Sequence, residues 1–301
     1  MAANSDIKTV IALGFFDGVH RGHGRLIEMA KQRAAELGAE PAVLSFDVSP
    51  ESVITGRKVP LISSNSIRED IVKNVYGVDR TIFYHFDTQT MAMPWSDFID
   101  SLVQRFSAIH FVIGHDFHCG YKGQGSPQRI SEYCREKGLG CDIIPKVTVD
   151  GITVSSTYIR ELISQGDIQR ANFFLGHAYT IAGIVQDGHK NGRKMGTPTI
   201  NLICQPELLL PPHGVYITKV RLPQIEKSAV TNVGVRPTLG GKDEVSVESY
   251  ILDFSGDLYG QYVSVDFYDF IRPEKKFSDT QQLREQILND AETTRHFFKC
   301  R

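Results

Sequence analysis

Two histidines three residues apart, set in a glycine-rich turn, are the first residues in this sequence equipped for chemistry. The run Gly14-Phe15-Phe16-Asp17-Gly18-Val19-His20-Arg21-Gly22-His23 follows directly on a short apolar stretch. Glycines at 18 and 22 allow tight turns and the close approach of a ligand. At the start of a helix, His20 and His23 can both face one ligand, and the free N–H groups and positive dipole end suit a phosphate. Imidazoles placed there stabilise charge that develops on a transferred phosphoryl group. Further on, Ser155, Ser156 and Thr157 offer hydroxyls and N–H groups at a second helix start, with Arg160 one turn later. Those four residues alone also describe an ordinary N-cap beside a surface arginine.

A different chemistry is written in the second half. The loop Gly192-Arg193-Lys194-Met195-Gly196 can present backbone N–H groups and cations to a polyphosphate. Thr199 and Asn201 follow at i and i+2 on a strand, so a hydroxyl and an amide oxygen share one face. Hard oxygen ligands of this kind suit Mg²⁺, which keeps waters and substrate phosphates as its other ligands. Glu248 stands in an otherwise apolar strand, where a carboxylate is costly unless it is paired or functional. Alternation puts it on a face with Ser246, Tyr250 and Leu252.

The elements that must position these groups follow two grammars. Up to about Leu175, strands alternate with helices. Strand-like runs at Thr9–Phe16, Ala42–Phe46, Thr81–His85, His110–Ile113 and Asp142–Ile144 are separated by helical patterns. These include Arg25–Leu37 closed by Gly38, a helix opened by the capping box Ser66–Glu69, one with Pro94 at its first position, and one opened by Ser126-Pro127. The alternation predicts a parallel sheet covered on both faces, with ligands bound beyond the carboxyl ends of its strands. Later come alternating strands at Tyr179–Gln186, Thr199–Ile203, Val215–Leu222, Ala229–Val233, Ser246–Leu252 and Tyr262–Ile271, then one helix, Asp279–Phe298. This predicts a small antiparallel β-barrel or sandwich with a terminal helix.

Composition narrows the classes of function. The 301 residues carry 33 Lys+Arg against 35 Asp+Glu. So balanced a chain lacks the basic surplus that nucleic-acid binding requires. At this length two domains are expected, here residues 1–176 and 177–301. The five cysteines form no C-x-x-C pair and read as free thiols in a reducing compartment. No apolar run is long enough to span a bilayer and no leader precedes the first strand, so a cytoplasmic protein without a membrane partner is expected. Oligomeric state is left open.

The G-x-F-D-G-V-H-x-G-H run resembles the H-x-G-H nucleotidylyltransferases, and its wider form resembles the prokaryotic bifunctional riboflavin kinase/FMN adenylyltransferase family, also called FAD synthetases. Val112–Gly120 is similar to that family's G-x-D-F-R-F-G loop, and Val154–Arg160 to its I-S-S-T-x-I-R helix start. Gly196–Asn201 resembles the P-T-A-N motif of riboflavin kinases. Pro212–Tyr216, Asn232–Thr238, Val247–Phe254, Asp257–Gly260 and Arg272–Phe277 continue the likeness. Phe15, Ser49, His118 and Tyr158 depart from the family pattern.

The resemblance implies a Rossmann-like α/β adenylyltransferase domain followed by a β-barrel kinase domain. The kinase would make FMN from riboflavin and ATP, and the adenylyltransferase would make FAD and pyrophosphate from FMN and ATP. It implies Glu248 as base on the ribityl hydroxyl, Thr199 and Asn201 on Mg²⁺, and His20 and His23 as catalytic histidines. ATP and its phosphates would meet Gly14, Phe16, Asp17, Gly22, Ser155, Ser156, Thr157 and Arg160 in one half, and Gly192, Arg193, Lys194 and Gly196 in the other. Asp116, Phe117, Arg236 and Arg272 would bind flavin. The departures motivate one alternative, a riboflavin kinase with a weakened or inactive adenylyltransferase. A non-enzymatic flavin or nucleotide sensor is the other.

Overall fold

The computed structural model describes residues 7–186, 199–236 and 244–300. The chain divides into two compact units, Met1–Leu61 with Asn65–Ser156, and Ile62–Ser64 with Thr157–Arg301.

In the first unit, five parallel strands stand in the order β3-β2-β1-β4-β5: β1 (Thr9–Leu13), β2 (Glu40–Phe46), β3 (Arg80–Tyr84), β4 (Ala108–Gly114) and β5 (Gly140–Ile144). Every residue of β1 is buried, which is why its sequence is a continuous apolar run rather than an alternation. Helices α1 (Arg21–Leu37), α2 (Pro50–Thr55), α3 (Asn65–Asn74), α4 (Thr88–Ala92), α5 (Trp95–Phe106) and α6 (Pro127–Glu136) connect the strands. Leu26, Ile27, Ala30 and Ala34 form the buried stripe of α1 as the spacing predicts, whereas Leu37 is exposed. The helix ends at Gly38, whose left-handed backbone lets its N–H reach the Ala34 carbonyl.

Several boundaries differ from the sequence expectation. Helix α1 starts four residues before Arg25, because His20 caps it. Helix α3 begins at Asn65, so Ser66 lies inside its first turn rather than at the cap. Pro94 is the cap of α5, not its first residue. Two short helices, α2 and α4, are capped by Ser49 and Asp87 and are too brief to leave a periodic pattern.

Strand order places a switch point between β1 and β4. From β1 the chain proceeds to β2 and β3 on one side, then crosses to β4 on the other. The loops leaving the carboxyl ends of β1 and β4 therefore flank the crevice where such sheets bind ligands. Two of the three first-half motifs lie there, residues 14–23 after β1 and 115–120 after β4. The short hairpin β6 (Thr148–Val149) and β7 (Ile152–Thr153) follows β5.

The second unit opens with α7 (Ser156–Gln165, from Thr157 on) and α8 (Ile168–Leu175). Strands β8 (Tyr179–Gln186), β9 (Thr199–Ile203), β10 (Gly214–Arg221), β11 (Glu226–Arg236), β12 (Glu244–Ile251) and β13 (Tyr262–Arg272) form a closed antiparallel barrel in the order β10-β11-β12-β9-β8-β13. Its interior holds Tyr216, Val220, Val247, Val265 and Phe267, each with no exposed surface. Three buried hydroxyls also cross the interior, Thr218 to Thr231 at 2.7 Å and Thr231 to Ser249 at 2.7 Å.

Helix α9 (Thr280–Lys299), capped by Asp279, packs its Ala291 against Val215, Val230 and Leu252. Arg272 anchors it. Its Nη2 lies 2.7 Å from Asp290, whose side chain is 4% exposed and also accepts from Gln286 at 2.9 Å. Breaking a buried pair strands the remaining charge, at a cost of about 3–5 kcal/mol. Arg272→Met should therefore lower stability by about 3 kcal/mol, read as a reduced urea midpoint at unchanged slope. Arg272→Met with Asp290→Leu should recover much of that loss.

Candidate functional site

The loop after β1 is held in conformations that side chains seldom adopt. Phe16 (φ 55°) and Val19 (φ 39°) are both left-handed, as is Gly18 (φ 77°). Such residues persist only where their surroundings dictate them, and each costs on the order of 1–3 kcal/mol. Here the surroundings are dense. Phe16 is 1% exposed, Asp17 is 1% exposed, and the Asp17 carbonyl accepts from the Ser156 hydroxyl at 2.9 Å. Space is tight as well, since a Cβ on Gly14 would meet the Phe16 ring at 3.1 Å and one on Gly22 would meet His20 at 3.0 Å.

His20 is the N-cap of α1, and its Nδ1 accepts from the His23 N–H at 3.2 Å. That bond assigns the proton of a neutral His20 to Nε2, leaving Nε2–H as the donor to a ligand. The two rings are stacked 3.6 Å apart and nearly parallel, and Phe16 meets His23 edge-on at 5.1 Å. Buried Nδ1 of His23 has no hydrogen-bond partner among the described residues. Burial, then the neighbouring His20 and Arg68, hold the His23 imidazole well below the ordinary histidine range. A neutral imidazole with an unmet polar atom at a helix start is suited to a phosphate oxygen.

After β4, Asp116 is exposed and Phe117 is half-buried against the sheet's apolar cluster. Ser155 and Ser156 close the first unit, and Thr157 and Arg160 open the second on α7.

In the barrel, strand register builds the second site. Glu248 on β12 stands directly opposite Asn201 on β9 and Asn232 on β11, so the three side chains share one face. Thr199, opposite Tyr250, lies on that face too. Val247, Ser249 and Ile251 are buried on the other face of β12, whereas Glu248 is half-buried. Asn201 is 8% exposed, and its Oδ1 is a buried acceptor without a donor among the described residues. Asn232 donates to Glu274 at 3.1 Å, and that carboxylate rests where a Cβ on Gly234 would be. An orphaned carbonyl-type oxygen beside a hydroxyl and a carboxylate is a donor set a hard cation fits. Gly192, Arg193, Lys194 and Gly196 lie outside the described residues, as does the Arg236 side chain.

Both halves of the chain have counterparts in known proteins. The FAD synthetase family model matches residues 2–158, and the riboflavin kinase model matches residues 175–298. A bifunctional riboflavin kinase/FMN adenylyltransferase of Listeria monocytogenes is 35% identical over 98% of this chain and 94% of its own. The chain belongs to the bifunctional riboflavin kinase/FMN adenylyltransferase family. A Bacillus subtilis relative of the same description is 34% identical over 97% of this chain and 93% of its own. A solved Streptococcus pneumoniae structure, described as a macrolide-efflux protein, superposes with a TM-score of 0.83 at 29% identity, covering 97% and 95% of the two chains. Among the described residues here, no helix is long and apolar enough to cross a membrane.

Three further residues lie beside these side chains and escape sequence reasoning. Asn232 and Glu274 meet Glu248's face only through the barrel register. Arg68 shares the buried stripe of α3 with Ile67, Ile71 and Val72, and an arginine in an apolar register was its one signal. Arg272, expected at the flavin, has its guanidinium bound to Asp290 and to the Pro273 carbonyl at 3.1 Å.

Proposed function

We infer that the barrel unit phosphorylates riboflavin and the α/β unit adenylylates the product, with residues 1–176 and 177–301 as the two functional domains. The observation that carries this reading is the presence of both sites in one chain of a bifunctional family: stacked His20 and His23 at a helix start, and Glu248 in register with Asn201.

In the first step Glu248 takes the proton of the ribityl hydroxyl as its oxygen attacks the γ-phosphorus of ATP, and ADP leaves. Thr199 and Asn201 would hold Mg²⁺, which when bound neutralises phosphate charge. In the second step a phosphate oxygen of FMN attacks the α-phosphorus of ATP, forming FAD as the bond to pyrophosphate breaks. His20 and His23 donate to the phosphate oxygens as charge gathers there. Gly14, Phe16, Asp17 and Gly22 shape that cradle, and Ser155, Ser156, Thr157 and Arg160 serve as further ATP contacts. Gly192, Arg193, Lys194 and Gly196 serve ATP in the kinase half. Asp116, Phe117, Arg236 and Arg272 serve the flavin. The five free cysteines fit a reducing, cytoplasmic setting.

The direct test is product release. Riboflavin with Mg-ATP should yield ADP, and FMN with Mg-ATP should yield pyrophosphate; ADP without pyrophosphate would reduce the assignment to the kinase. Asn201→Ala removes the orphaned acceptor, so half-maximal FMN formation should require about tenfold more Mg²⁺, as the loss of a ligand-supporting contact does. An unchanged Mg²⁺ requirement would remove Asn201 from the metal site.

A further inference from the structure

Outside the residues given a chemical role above, the most unusual group in the first unit is Arg68, only 1% exposed. Among the described residues its guanidinium bonds no carboxylate. Nη1 instead donates to the Phe15 carbonyl at 2.9 Å, the Phe46 carbonyl at 2.9 Å and the Ser45 hydroxyl at 2.5 Å, and Nη2 donates to the Asn65 side chain. Ser45 donates in turn to the Phe15 carbonyl at 2.6 Å. Phe15 and Phe83 flank the guanidinium, with ring centres 4.8 and 5.5 Å from its carbon.

These bonds converge on two places. Phe46 ends β2, and Phe15 is the residue before the left-handed Phe16 that starts the histidine loop. A buried guanidinium is expensive, and neutral side chains could tie two strands together at lower cost. What the fork adds is a fixed geometry for several carbonyls at once. It also adds charge. Burial lowers the Arg68 pKa to about 10, with Asp17 and Asp47 opposing that fall, so it stays cationic at neutral pH. The charges acting on His23 are those of His20 and Arg68, and both oppose an imidazolium.

We propose that Arg68 is a positioning residue for adenylyl transfer, fixing the Phe15 and Phe46 carbonyls so that the loop presents His20 and His23 to the nucleotide. The proposal rests on the reading of those histidines as the adenylyltransferase site. Arg68 touches no reacting atom in it.

The test uses the full chain, supplied FMN and Mg-ATP, with FMN formation from riboflavin measured in parallel and circular dichroism as a check of folding. Arg68→Met should lower kcat for FAD formation about 100-fold, as a misplacement of about 1 Å does, with KM for ATP changed less than threefold. It should also move the acid limb of the pH profile upward, because losing a nearby cation makes His23 easier to protonate. Arg68→Lys keeps the charge and loses the fork, so kcat should fall while the acid limb stays in place. Ser45→Ala removes one acceptor at almost no change in volume and should lower kcat about tenfold. Should Arg68→Met fail to fold, Arg68→Lys and Ser45→Ala decide the matter. Wild-type kcat in the folded variants overturns the positioning role. Wild-type protein that makes no FAD from FMN overturns instead the reading beneath it, so the two failures are distinct.

Discussion

Glu248→Ala should lower FMN formation from riboflavin by about 10²–10⁴-fold, the range of a general base, while FAD formation from supplied FMN stays at the wild-type rate. The expectation follows from register. Glu248 is the carboxylate that β12 places between Asn201 and Asn232 on a half-buried face. Its substitution leaves the barrel interior untouched, since Val247, Ser249 and Ile251 point the other way. Glu248→Gln keeps the shape and loses the proton acceptor, so it should be nearly as inactive as alanine. A glutamine variant with wild-type rate would assign Glu248 a packing role and move the base elsewhere, with Glu274 the next carboxylate along the row.

His23→Ala should show the complementary loss. FAD formation from FMN and ATP should fall about 10²–10³-fold, the scale of one lost donor to a developing oxyanion. FMN formation should be unaffected, because every residue of the kinase site lies in the other compact unit. Stability should change little, since the His23 side chain carries an unmet polar atom rather than a structural bond. His20→Ala differs in this respect. It also removes the cap of α1, at an added cost of about 1 kcal/mol. A His23→Ala protein that still makes FAD at the wild-type rate would exclude it from catalysis.

Much of this is legible in the residues alone. Binary pattern and turn residues gave β8 and β9 their true limits, and the alternation of strands and helices gave the parallel sheet. Chemistry-bearing residues were legible where they cluster in sequence, as His20 and His23 do. What the sequence hid depends on long-range geometry. Asn232 and Glu274 join Glu248 only because β11 pairs with β12 in one register and residue 274 returns over Gly234. Arg68 falls within the capping-box run Ser66–Glu69, and only the packing of α3 brings it against the Phe15 and Phe46 carbonyls. The apolar spacing of α1 begins only after its first turn, and its cap is an imidazole rather than the usual hydroxyl or carboxylate. Arg272 likewise bonds a residue eighteen positions on, Asp290, a pairing that its motif neighbours do not foretell.

One chain carries both activities. The most direct measurement is a time course of purified protein with riboflavin, ATP and Mg²⁺, with the flavins separated by chromatography. FMN should appear first, pass through a maximum and give way to FAD, with ADP and pyrophosphate accumulating in step. FMN that accumulates without FAD, or riboflavin that remains unchanged, would contradict the account.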